Sequence, residues 1–66
     1  MISMGKVKVG NEYLLRLYPG DPGARVVVTY KSHKYQFINI QRCDATGFDG
    51  FGQLTYVRAR QMITEV

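Results

Sequence analysis

Two glycine-rich breaks cut this 66-residue chain into segments too short for long helices. Pro19-Gly20-Asp21-Pro22-Gly23-Ala24 packs two prolines and two glycines into six residues, and neither strand nor helix continues through such a run. The second break runs from Cys43 to Gly52 and holds Gly47, Gly50 and Gly52. Nowhere do 12 consecutive residues show helical apolar spacing. The segments between the breaks therefore read as strands.

Residues 7–18 alternate apolar and polar side chains, with Val7 and Val9 before a turn or bulge at Gly10-Asn11 and Tyr13, Leu15 and Leu17 after it. Residues 25–30 carry three consecutive valines and a Thr-Tyr end, a composition suited to a strand. The polar stretch 31–34 has hairpin length. Residues 35–40 form a third strand with apolar groups on both faces, 53–57 a fourth, and 63–66 a short last one. Residues 58–62 are good helix formers but span barely one turn, so a single 3-10 turn is expected there. The expected core is Val9, Tyr13, Leu15, Val26, Val28, Phe37, Ile38, Leu54, Val57 and Ile63.

Apolar residues make up 45% of the chain and charged ones 21%, which is the balance of a folded domain. A chain of this length buries only about 60% of its unfolded surface. That supports one core and one domain over 1–66, with residues 1–5 flexible. Cys43 is the single cysteine, so no intrachain disulfide frames the fold, as suits a reducing compartment. Residues 1–6 hold no apolar leader core, and the longest unbroken run of aliphatic residues is Val26-Val27-Val28. The expected location is the cytoplasm.

Five short strands must each bury one face, and a small barrel does this while leaving few free edges. Val7-x-Val9-Gly10-x-x-Tyr13-x-x-Arg16 resembles the opening strand of the SH3-like small barrels, the group that includes Tudor and KOW-type domains. Tyr56-Val57-Arg58-Ala59-Arg60-Gln61-Met62-Ile63 resembles their strand, 3-10 turn, strand ending. The resemblance implies an all-β, five-stranded antiparallel SH3-like barrel with a single 3-10 turn before the last strand. Compact chains of this pattern also recur among small phage and mobile-element proteins, for which the location would be the host cytoplasm. The chain has no Trp and no Ala-Leu-Tyr-Asp-Tyr segment, so the resemblance does not extend to the binding of proline-rich peptides.

Little in the sequence points to catalysis. His33, the only histidine, sits in a polar turn with no nucleophile marked out for it. Cys43 lies between Arg42 and Asp44 and reads as a small apolar filler at a strand end. One cysteine and one histidine fall short of a structural zinc set. Gly47-x-x-Gly50-x-Gly52 lacks the Lys-Ser/Thr ending and the following helix of a phosphate cradle. The expectation is a non-enzymatic binding module with no cofactor, no metal, no membrane and no small-molecule substrate.

The candidate binding residues are Phe48 and Phe51 in the second glycine-rich loop, Tyr18 at the first, and Arg42, Arg58 and Arg60. Exposed rings beside arginines suit both protein partners and stacked bases. Phe48 and Phe51 have an equally open alternative, in which they fold back and plug the end of the barrel. A protein partner is the first reading and nucleic acid the second, the latter resting on the net charge of +4. A single stripe of cations beside exposed rings would favour nucleic acid, and an even spread the protein partner.

Overall fold

The computed structural model describes residues 3–45 and 49–66. A 3-10 helix, Met4–Lys6, is followed by β1 (Glu12–Leu15), β2 (Ala24–Ser32), β3 (Phe37–Arg42), β4 (Phe51–Thr55), α1 (Tyr56–Met62) and β5 (Ile63–Glu65). The strands form one antiparallel sheet in the order β4-β3-β2-β1-β5. All-β character and a five-stranded antiparallel sheet are thus as the alternation predicts.

The barrel is not closed. β4 and β5 are the two end strands, and among the described residues no ladder joins them. The 3-10 turn expected before the last strand is instead a seven-residue α-helix. Tyr56 and Val57, read as strand, belong to its first turn. The hydroxyl of Thr55 accepts the backbone N–H of Arg58 at 3.3 Å and so caps the helix start. Ala59, fully buried, packs the helix onto the core. A helix this short is marginal alone, and that packing holds it.

The core comprises Met4, Val7, Tyr13, Val26, Val28, Ile38, Ile40, Ala59 and Ile63, with Leu15, Leu54 and Tyr56 packed around it. Tyr13, Val26, Val28, Ile38 and Ile63 are core residues as the pattern predicts. Val9 and Val57 are not. The 3-10 helix buries Val7, and the turn at Val9-Gly10, with Gly10 at φ 93°, leaves Val9 exposed. Val57 stands on the open face of α1. Leu17, also read as an inward strand residue, lies beyond the end of β1 and is exposed. Phe37 is half-buried on the outer face of β3, while Ile38 and Ile40 take the inner one.

β2 is the longest strand and carries a bulge. Val28 pairs with Ile40 but Tyr30 pairs with Asn39, so Thr29 is one residue too many for β3. The phase of β2 changes there. Val26 and Val28 point inward before the bulge, and Lys31, opposite the buried Ile38, points inward after it.

Candidate functional site

The single histidine and the single cysteine stay apart. His33 lies in the turn before β3 and Cys43 in the turn after it, so the full length of β3 separates them. Cys43 is exposed, not the filler expected from sequence. Desolvation, together with the Glu12 carboxylate beside it, pushes its thiol above the usual range, which disfavours the thiolate. No group of three or more His, Cys, Asp or Glu gathers among the described residues.

The sequence-predicted binding residues fall on different sides of the molecule. Arg58 and Arg60 are exposed on α1, and neither makes an ion pair among the described residues. Tyr18 is 62% exposed in the loop after β1. Arg42 ends β3 and is committed to Asp44 through two hydrogen bonds, of 3.1 and 2.8 Å. Phe51, 50% exposed, faces away from the core on β4. Phe48 lies outside the described residues.

Around α1 the side chains assemble into a surface that the sequence alone only half reveals. The loop after β1 is fixed by Asp21, whose carboxylate accepts the backbone N–H of Leu17 at 2.9 Å and of Gly23 at 3.0 Å. These two bonds, aided by the charge of Arg16, hold its carboxyl below the ordinary value. Gly23 has φ 86°, and a Cβ there would come within 2.9 Å of Leu14 Cγ, so only glycine fits. The base of the loop is tied to the helix end, where Arg16 N–H donates to the Met62 carbonyl at 2.8 Å. Leu17 and Tyr18 are thereby held out into solvent, 63% and 62% exposed.

A groove flanks α1 on each side. One, about 420 Å³, lies between the loop and the helix end and is lined by Arg16, Leu17, Tyr18, Gln61 and Met62, with Pro19 and Thr64. The other, about 530 Å³, lies between the helix start and the N-terminal segment, where Met4, Gln36, Tyr56, Val57 and Arg60 converge, with Ser3 and Gly5. Among the described residues no carboxylate lines either groove. The hydroxyl of Tyr56 is buried and has no hydrogen-bond partner among them. Val57 is 57% exposed between the two. Leu17, Val57, Gln36 and Tyr56 are the residues missed from sequence. Thr55, a cap residue directly before them, was the available signal for the helix that displays Val57.

The outer face of β2, β3 and β4 is a second surface. Register places Glu12, Val27, Gln41 and Phe51 in one cross-strand row, Tyr30, Asn39 and Gln53 in the next, and Ser32, Phe37 and Thr55 in a third. Glu12 is the one charged residue among them. The Tyr30 and Phe37 rings touch, with centroids 5.8 Å apart and planes at 47°.

The cations form no stripe beside these rings. Arg25 faces Glu12 at 3.6 Å and Arg42 holds Asp44. Lys31, read from sequence as part of the hairpin turn, lies in β2 and turns its ammonium onto the carbonyls of Met4 and Val7. Lys34 lies 5.3 Å from the Tyr35 ring in the β2–β3 turn. Arg16 and Arg60 line different grooves, and Lys6 and Lys8 share a third with Glu12 and Glu65. No protein-family model, no curated protein and no solved structure matches this chain.

Proposed function

We propose that this chain is a non-catalytic binding module that docks on a larger protein through the exposed side of α1 and its two flanking grooves. One observation carries the reading. Leu17, Tyr18 and Val57, each more than half exposed, stand on and beside α1 among Arg16, Arg58 and Arg60, and among the described residues no carboxylate lines the grooves. Apolar side chains among cations suit a segment that alternates apolar and acidic residues. Each apolar side chain fully taken from water contributes about 1.5–3 kcal/mol. The arginines add orientation and on-rate. The five-stranded antiparallel sheet supports the SH3-like resemblance, and the spread of cations over several sides favours a protein over nucleic acid.

The test is capture from a nuclease-treated cell extract by the immobilised chain, followed by measured affinity for the captured protein. Arg58→Ala with Arg60→Ala should leave the melting temperature nearly unchanged and weaken binding most at low salt. Leu17→Ser with Val57→Ser should weaken it at every salt concentration. Capture that disappears on nuclease treatment would replace this reading with nucleic-acid binding. Capture indifferent to both double variants would remove α1 as the site.

A further inference from the structure

We infer that Gln36 is a specificity residue of the groove at the start of α1, where its side-chain amide and the Arg60 guanidinium together hold one acidic side chain of the docked segment. This rests on α1 being the docking side. Gln36 has φ 55°, and among the described residues it is the one non-glycine residue in the left-handed region. Gly10, Gly20, Gly23 and Gly50 fill the other positions of positive φ. A side chain in that region crowds its own backbone, and glycine avoids the penalty. The backbone of Gln36 does only what glycine would do equally well: its carbonyl accepts the N–H of Tyr56 at 2.9 Å. The side chain is exposed and makes no hydrogen bond among the described residues. Strain kept at an exposed position, by a side chain that nothing in the fold uses, points to a contact outside the fold.

The bond between Tyr56 and Gln36 seats the β2–β3 turn against the first turn of α1. Arg60 follows Tyr56 by four residues and so stands on the same face of the helix. Gln36, Tyr56 and Arg60 therefore line one groove, of about 530 Å³.

Arg60 makes no ion pair among the described residues, and no carboxylate among them lines this groove. Gln36 and Arg60 both present N–H donors there. One cation beside a neutral donor matches the single charge of a carboxylate, and hydrogen bonds to an ionised acceptor are the strong ones. Val57, 57% exposed on the same groove, suits an apolar neighbour of that acid. A nucleic-acid strand carries a charge at every phosphate, and this groove would meet it with one arginine.

Nuclear magnetic resonance of the full isotope-labelled chain tests this. The probe is a blocked peptide of alternating leucine and aspartate, and the control is its leucine and asparagine counterpart. The side-chain N–H signals of Gln36 and Arg60 should shift with the acidic peptide and not with the neutral one. Gln36→Glu, equal in length, sets a carboxylate against the acid and should weaken binding more than about tenfold. Gln36→Gly should also weaken it, while the melting temperature stays at or above the wild-type value. A residue kept for the fold would not give that pair of effects. A clear drop in melting temperature for Gln36→Gly would overturn the inference, as would Gln36 signals that do not move or Gln36 variants that bind like the wild type. If Arg58→Ala with Arg60→Ala still weakens binding in that case, α1 remains the docking side without Gln36; if that double variant also changes nothing, both readings fall. A short oligodeoxynucleotide that shifts the Gln36 and Arg60 signals more than the acidic peptide does at equal concentration would give the groove to nucleic acid instead.

Discussion

The phenol oxygen of Tyr13 accepts the backbone N–H of Lys8 at 2.9 Å. The same hydroxyl donates to the Lys6 carbonyl at 3.4 Å, so one core side chain satisfies two main-chain groups of the segment that enters β1. Tyr13→Phe keeps the ring and strands both groups. Leaving a buried polar group unpaired costs about 1–3 kcal/mol. In a domain of this size each kcal/mol lowers the melting temperature by about 4–8 °C. An unchanged melting temperature would mean that water replaces the hydroxyl without penalty.

Tyr56→Phe should behave oppositely. Its hydroxyl is buried without a partner among the described residues, so removing it relieves an uncompensated desolvation instead of creating one. The variant should be as stable as the wild type or more so. A clear loss of stability would show that the hydroxyl already has a bound partner, such as an ordered water.

Acid sensitivity should centre on Asp21. Two backbone N–H groups stabilise its ionised form in the folded chain, which lowers its pKa below the ordinary 3.8. A group depressed on folding contributes stability above its unfolded pKa and loses it as pH falls through the folded one. Thermal unfolding from pH 6 down to pH 2 should therefore show a stability loss that begins near pH 4. Asp21→Asn should flatten that part of the profile. Equal acid slopes in the two proteins would count against the Asp21 turn as the source.

Cys43 should react slowly despite its exposure. The raised thiol pKa reduces the thiolate, which is the attacking form. Alkylation by iodoacetamide at pH 7.5 should be slower than that of a free cysteine peptide. Glu12→Gln, which removes the neighbouring charge, should speed it.

The parts of the fold legible in the sequence are those where one physical rule acts alone. Val26, Val28 and Ile38 sit in strands whose alternation no turn interrupts, and they are core. Pro19 to Gly23 cannot be anything but a loop. Where two rules compete, the reading goes astray. Val57 suits a strand by propensity, yet the Thr55 cap and the burial of Ala59 recruit it into α1. Val7 and Val9 look equivalent by period, and a turn between core and surface separates them. Whether β4 meets β5 is a long-range matter on which alternation is silent. The candidate surfaces are legible in part: Tyr18 stands beside a break, and alternation that runs into a short turn leaves at least one of Arg58 and Arg60 exposed. The cross-strand rows exist only once pairing sets Glu12, Val27, Gln41 and Phe51 side by side.

The extra residue at Thr29 decides what closes this molecule. Without it, Lys31 would point outward and Tyr30 would turn toward the core. With it, the lysine passes under the sheet and its ammonium clasps the Met4 and Val7 carbonyls. In a sheet whose end strands share no ladder among the described residues, a clasp of this kind fastens the N-terminal segment to the far end of the longest strand, and a single inserted residue puts it within reach.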